Sequence, residues 1–348
     1  MARSTRSADS NTSADPYAHL HDTLRALFGV EDVVTAPDHI VVGDTRYPVL
    51  DDVVLLSPPD QYSDHIIERL GRGGHQVKDG FAPDIQSTFG REWQAYADML
   101  PEHDEEFARY FDLVDLDTLG QKRVMDLGCG MGRWSYLMAP HVEELVLVDF
   151  SDAIFVARET LRGRHERVLF FHGDITKLPF VDDAADLAYC LGVLHHLPLD
   201  CLDVTRQLAR LAPELLVFLY YALDNRPAHY RLLLKGVTAA RLALCRIEDE
   251  DTRLRIAKVG AKGLYRPLVR LGEALERSVG QGSQVPLYDF YKDKSLQRIE
   301  QDVYDRFFTR IEQRVSRADI RTLRDTFDDV VISDDLPYWH FLCRGRRR

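Results

Sequence analysis

The sequence predicts an α/β protein built on a doubly wound, mostly parallel sheet with helices on both faces. Two observations carry this. Between residues 123 and 221, short and nearly all-apolar runs alternate with helical patterns, as strands buried on both faces do. The first of these runs ends in a glycine turn, VMDLGCGMG, that opens directly into a helical pattern. A chain of 348 residues, 45% hydrophobic and 29% charged, is long enough to bury such a core.

The elements follow in order. Residues 1–16, MARSTRSADSNTSADP, are polar and lack an apolar h-region, so they are expected to form a disordered tail and not a secretory signal. Residues 17–88 form an N-terminal extension: a helical stretch at 17–28, then the strand-like runs HIVVGDTRYPVL and DDVVLL, ended by Ser57-Pro58-Pro59. Turn chemistry between the runs predicts a β-hairpin, and the Gly-rich stretch at 63–80 is expected to be irregular.

The core spans residues 89–222. It opens with an aromatic amphipathic segment broken at Pro101. Its strands are expected at 123–127, 145–149, 168–172, 187–191 and 215–221, with helices at 133–138, 152–162 and 202–211. Residues 223–315 form an Arg-rich helical insertion before the last two strands; Leu233, Val237, Ala240 and Leu244 fall on one helix face. Residues 316–348 close the core with a helix and strands at 330–333 and 338–343. The gap between those strands is too short for a crossover helix, so they form an antiparallel hairpin.

Composition narrows the partners. No run approaches the roughly 20 apolar residues of a membrane span, so no membrane partner is expected. Five scattered cysteines (Cys129, Cys190, Cys201, Cys245, Cys343) form no C-x-x-C pair, which indicates a reducing, cytoplasmic compartment and no structural zinc. No cluster of Asp, Glu and His resembles a divalent-metal site, and no metal is expected. A net charge of −12 repels nucleic acid at long range. The contrary feature, Arg344-Gly345-Arg346-Arg347-Arg348, reads as a solvated basic end.

The site residues are read from the strand ends. Glycines at 128, 130 and 132 let the backbone bend tightly and approach a ligand, and the helix that follows offers free N–H groups to an anion. Asp126 places a negative charge nearby, so an amino acid moiety with a carboxylate and an ammonium suits the pair. Asp149, about 20 residues past the turn, is placed to accept the ribose hydroxyls of a nucleoside. Asp174 ends the third strand, where an adenine edge would lie. The glycines read G-x-G-x-G, not the G-x-G-x-x-G of dinucleotide sites. Each Asp also has a plainer reading as a helix cap.

This series resembles the class I S-adenosylmethionine-dependent methyltransferases over about residues 120–222 and the closing hairpin. The resemblance implies a Rossmann-like sheet of seven strands in the order 3-2-1-4-5-7-6, with S-adenosyl-L-methionine as cofactor. It implies that Gly128, Gly130 and Gly132 carry the methionine part with Asp126 near its ammonium. Asp149 would bind the ribose, Phe150 pack beside adenine, and Asp174 and Ile175 meet the adenine edge; Leu191 would lie beside the sulfonium. Phe89-Gly90-Arg91-Glu92-Trp93 resembles the aromatic helix that covers the cofactor in small-molecule members. The stretch YPVLDDVVLL resembles the tail of a small zinc-binding activator domain, without its cysteines.

The chemistry is expected past the fourth strand, in LGVLHHLP, which resembles an element bordering the acceptor site in this family. His196, and secondarily His195, are the candidate catalytic bases, since an imidazole titrates near neutrality; the alternative is that the rings only fasten the loop. Tyr220, Tyr221, Tyr288, Tyr291, Trp339 and His340 are further candidates to face an acceptor. The insertion is placed to act as a lid over a small molecule or as an oligomer interface. The expected function is methyl transfer to oxygen or nitrogen of a small-molecule metabolite. The alternatives are an RNA or protein methyltransferase, or a cofactor-binding protein without catalysis.

Overall fold

A computed structural model describes residues 17–71, 98–223, 228–247, 249–334 and 339–347. The tail at 1–16 and Phe89-Gly90-Arg91-Glu92-Trp93 lie outside the described residues.

The N-terminal extension begins with helix α1 (His21–Phe28) and continues into β1 (Val33–Ala36), β2 (His39–Val42), β3 (Thr45–Leu50) and β4 (Val53–Leu55). The first four strands are thus one meander and not a free hairpin: β1, β2, β3 and β4 pair antiparallel in sequence. Helix α2 (Asp64–Arg69) follows in a stretch expected to be irregular. Its start is set by Ser63, whose hydroxyl accepts from Ile66 N, and by Ile66, which is fully buried.

Helix α3 (Glu102–Tyr110) leads into the alternating core of β5 (Arg123–Leu127), α4 (Arg133–Met138), β6 (Glu144–Asp149), α5 (Ala153–Thr160), β7 (Val168–His172), β8 (Leu187–Leu191), α6 (Cys201–Leu208) and β9 (Glu214–Leu219). The insertion supplies α7 (Ala228–Leu244), α8 (Glu250–Gly260), α9 (Arg266–Val279), α10 (Tyr288–Tyr291) and α11 (Leu296–Phe308). Helix α12 (Arg317–Arg321) and the strands β10 (Phe327–Ile332) and β11 (Trp339–Arg346) close the core.

One sheet of 11 strands results, in the order β1-β2-β3-β4-β7-β6-β5-β8-β9-β11-β10. From β7 to β10 this is the expected order 3-2-1-4-5-7-6, with β11 antiparallel between β9 and β10. The sheet exceeds the expected seven strands because β4 pairs parallel with β7, Val53 beside Phe170, and brings the rest of the meander with it.

Alternation along the strands builds two apolar layers. Met125, Leu127, Val146 and Val148 face α1 and α6, whereas Val124, Leu145 and Leu147 face α3, α4 and α5. The insertion has a separate core of Ala257, Ala261, Tyr265, Tyr291, Val303 and Tyr304. On α7 the expected apolar face is interrupted: Leu244 packs against this core, but Ala240 is exposed and the neighbouring Arg241 is buried, its Nη1 donating to Thr309 O at 3.3 Å.

Candidate active site

The carboxyl ends of β5, β6, β7 and β8 meet around the glycine turn. Gly128, Gly130 and Gly132 have φ of +79°, +54° and +78°, a region that side chains oppose. The turn is tied to β6 by Gly128 N and Cys129 N, which donate to Val148 O at 2.7 and 3.1 Å. At Gly132 a Cβ would lie 3.0 Å from Ala157 Cβ, so this glycine sets how closely α4 packs on α5.

Asp149 ends β6 with its carboxylate turned back onto the turn. Oδ2 accepts from Gly130 N at 2.8 Å, and Oδ1 accepts from Ser151 N at 2.8 Å and Ser151 Oγ at 2.7 Å. Burial raises its pKa, opposed by these hydrogen bonds. These donors, with the Phe150 backbone N–H, occupy only part of what two carboxylate oxygens can accept, and the capacity that remains suits a vicinal diol. Phe150 follows, half-buried, beside the same strand end.

Asp174 caps the short helical turn Ile175–Lys177, its Oδ1 accepting from Thr176 N at 2.9 Å and Thr176 Oγ1 at 2.7 Å. Lys177 Nζ stands 3.2 Å from its Oδ2, and Ile175 is buried beside it. The capping reading of Asp174 is therefore realised, with one oxygen less committed. Leu191 ends β8, and Gly192 then turns at φ +82°.

Asp126 differs from the other two acids. It lies inside β5, under α4, and accepts from Ser135 Oγ at 2.7 Å, which in turn meets Tyr189 Oη at 2.8 Å. Burial pushes its carboxyl up to about 7, against the hydrogen bonds from Ser135 and Tyr189. The charge expected near an ammonium is thus a carboxyl that titrates near neutrality behind the turn. Nothing in the sequence pattern pointed to Ser135 or Tyr189.

Past β8 the histidines occupy the turn Leu194–His196, and both are buried. The His195 ring stacks on Tyr220 with centroids 4.0 Å apart, and neither of its nitrogens has a hydrogen-bond partner. Burial, then His196 and Arg314, hold its imidazole well below the usual range, hence neutral. His196 Nδ1 lies 2.8 Å from Ile311 O. A carbonyl only accepts, so Nδ1 carries the proton and Nε2 is left as the basic nitrogen, 3.7 Å from Asp305 Oδ1. Tyr220 Oη donates to Asp305 Oδ2 at 2.7 Å. Gln313 laces the same loop to the end of the insertion: its N donates to His195 O at 2.8 Å, and its Nε2 to Leu197 O at 2.9 Å.

Helix α11 therefore faces the site with a polar stripe, Arg298, Asp302 and Asp305, at helical spacing. Arg298 Nε donates to Glu106 Oε1 of α3 at 3.1 Å and its Nη1 pairs with Asp302. Lys294 Nζ adds a second cation 3.1 Å from Glu106. Burial works to raise Glu106, but Arg298, Arg133 and Lys294 outweigh it and hold the carboxyl at about 2. Tyr291 donates to Asp302 at 2.9 Å. Of the remaining aromatics, Tyr221 packs on Trp339, Tyr288 belongs to the insertion's own core, and His340 Nε2 meets Asp112 Oδ1 at 2.8 Å. No group of three or more metal-ligating side chains occurs among the described residues.

A glycine turn with three left-handed residues, an acid at the end of the next strand and a reversed last strand define a Rossmann-like S-adenosylmethionine-binding fold. Residues 124–213 match the family model described as a methyltransferase domain. Residues 124–213 thus form a methyltransferase domain, for which S-adenosyl-L-methionine is the cofactor.

Among curated relatives, an uncharacterized methyltransferase of Bacillus subtilis, YcgJ, is 32% identical over 96 residues, covering 27% of this chain and 38% of its own. Phosphoethanolamine N-methyltransferase 1 of Arabidopsis thaliana is 32% identical over 78 residues, covering 22% of this chain and 16% of its own. The solved structure of YcgJ from B. subtilis aligns with a TM-score of 0.33 at 26% identity, over 38% of this chain and 58% of that one. The chain thus spans well under two-thirds of the length of these relatives.

Proposed function

We propose that this chain is a cytoplasmic methyltransferase that moves the methyl group of S-adenosyl-L-methionine to an oxygen or nitrogen of a small-molecule metabolite. The observation that carries this reading is the burial of the histidine turn past β8, where the acceptor is expected. The histidine turn is buried and bound to residues 305–313 through His196, Tyr220 and Gln313, which suits a bounded acceptor better than a polymer. The net charge of −12 points the same way. One relative, phosphoethanolamine N-methyltransferase 1, is named for a small acceptor. Buried cysteines at 129, 190, 201 and 343 fit a reducing compartment.

The cofactor supplies an electrophilic methyl on a sulfonium. The chain's residues supply position. Gly128, Gly130 and Gly132 would hold the methionine part, Asp149 would take the ribose hydroxyls, Phe150, Asp174 and Ile175 would frame the adenine, and Leu191 would lie nearest the sulfonium. In-line placement of this kind contributes about 7–11 kcal/mol to the barrier reduction. His196 takes the acceptor's proton at Nε2; its Nδ1–H is fixed by Ile311 O, and Asp305 stands ready to stabilise the imidazolium. His195, kept neutral, serves as the wall against which Tyr220 is stacked.

The test is release of S-adenosylhomocysteine from the full chain across a panel of hydroxyl- and amine-bearing metabolites, run beside RNA and protein acceptors. Turnover is expected with a small acceptor alone. Methylation of RNA or protein, or tight cofactor binding with no release from any acceptor, would overturn the reading.

A further inference from the structure

Helices α8 and α9 run on through a π-helical turn, Ala261–Tyr265, as one rod from Glu250 to Val279, about 45 Å long at 1.5 Å per residue. Its inner side is marked by Ala257, Ala261, Tyr265 and Val269, all buried at four-residue spacing. One residue further on, Lys258, Lys262, Arg266 and Arg270 form a parallel row. Lys258, Lys262 and Arg270 are exposed and Arg266 is half-exposed. Beside that row lies an apolar one, with Val259 at 70% and Leu271 at 52% exposure, flanked by Leu264 at 52%. The π turn holds more residues per turn than an α-helix, which keeps these four-residue rows on one side.

From Glu250 to Val279 the rod carries seven Lys and Arg against four acids, two of them at its first turn, in a chain whose net charge is −12. The two acids near the row, Glu273 and Glu276, do not quench it. Glu273 lies 3.7 Å from Arg277, and Glu276 accepts from Gly282 N. Among the described residues, Lys258, Lys262, Arg266 and Arg270 form no ion pair. A basic row beside exposed Val and Leu on one helix face has the chemistry of a surface that lies on lipid headgroups.

We propose that this face docks the protein on an anionic lipid surface, with the lysines and arginines on the headgroups and Val259, Leu264 and Leu271 entering the acyl boundary. Two other occupants fit less well. A second copy joined by a two-fold axis would set the basic row against itself. A single-stranded nucleic acid would want aromatic rings to stack its bases, and the exposed rows hold Lys, Arg, Val, Leu, Gly and Pro instead. The sequence expectation of no membrane partner concerned a span, and no helix among the described residues is long and apolar enough to cross a membrane; a face lying on one leaflet needs none. The proposal does not rest on methyl transfer.

The test is co-sedimentation of the full chain with vesicles of phosphatidylcholine alone and of phosphatidylcholine with one-third phosphatidylserine, at low and at physiological salt. Binding to the anionic vesicles only, weakening with salt, is expected. Each basic residue near such a surface is worth about fivefold in partitioning, so Lys258→Glu with Lys262→Glu and Arg270→Glu should lower binding at least about 100-fold. Leu264→Ser with Leu271→Ser should lower it about tenfold. S-adenosylhomocysteine affinity, unchanged in both variants, reports that they fold. Failure of the wild type to sediment with anionic vesicles at low salt would overturn the proposal, as would equal binding by the charge-reversal variant. A concentration-dependent dimer abolished by the Leu→Ser pair would assign the face to a second copy. Oligonucleotide binding tighter than vesicle binding and indifferent to that pair would assign it to nucleic acid.

Discussion

Replacing Asp149 with Ala separates a ribose ligand from a turn fastener. The carboxylate accepts from Gly130 N, Ser151 N and Ser151 Oγ. The serine hydroxyl can turn to another acceptor, but two backbone N–H groups lose theirs, at about 1–3 kcal/mol each. Removing a buried carboxylate returns part of that, since burial already opposes its charge. A net loss of about 2 kcal/mol in stability is expected, read by urea titration. The cofactor would lose two hydrogen bonds to a charged acceptor, about 1.5–3 kcal/mol each. The dissociation constant should therefore rise at least about 100-fold. Because a loosened turn also weakens binding, the deciding assay is calorimetry with S-adenosylhomocysteine and its 2′-deoxy analogue on both proteins. The wild type should prefer the ribose compound at least about tenfold, and the variant should not. An equal preference in the two proteins would refute the ribose role and leave Asp149 as part of the turn.

Three further outcomes are expected. His196→Gln should lower turnover about 10²–10⁴-fold with cofactor affinity unchanged; a near-wild-type rate would reduce His196 to a loop fastener. His172 is fully buried with no hydrogen-bond partner for either ring nitrogen among the described residues, and burial lowers its pKa to about 4. The folded state resists its protonation, so its stability is whole above about pH 6.5 and lost as pH falls towards 4, by about 2 kcal/mol at pH 5. Urea titrations of His172→Phe at pH 7 and 5 should show a flatter pH dependence than the wild type, and equal slopes would contradict this. Gly132→Ala should cost about 1–3 kcal/mol in chemical denaturation, from its φ of +78° and the 3.0 Å approach to Ala157 Cβ; a neutral effect would mean that α4 and α5 are free to separate.

The parallel core was legible because its strands are short, apolar and bounded by glycine or helical patterns. The observed β5, β7 and β8 coincide with the expected residues. The meander was visible only as local alternation. Nothing local records that β4 pairs with β7, since an edge pairing depends on residues far away in sequence. The glycines and the strand-end acids stood out because their spacing is a backbone property. The links between α3, α11 and the histidine loop did not. Glu106, Arg298, Asp302 and Asp305 look like an ordinary solvated helix face until the helix opposite is placed against them. Ala240 and Arg241 show the same limit, for a long side chain with a buried stem and a distant carbonyl partner interrupts the apolar pattern.

The pairing of β4 with β7 also dictates an order of events during synthesis. Val53 needs Phe170 beside it, and at about 5–20 residues per second the ribosome takes roughly 6–25 s to travel between them. Throughout that interval β4, with all three residues destined for burial, has no neighbour on one side and is open to pairing with another nascent chain. The earliest strands to emerge are thus among the later ones to be seated. Removing them from the finished protein would uncover β7, a strand of four apolar residues and one buried histidine never shaped to be an edge. The methyltransferase core and its N-terminal meander are in this sense one folding unit, though only one of the two carries the chemistry.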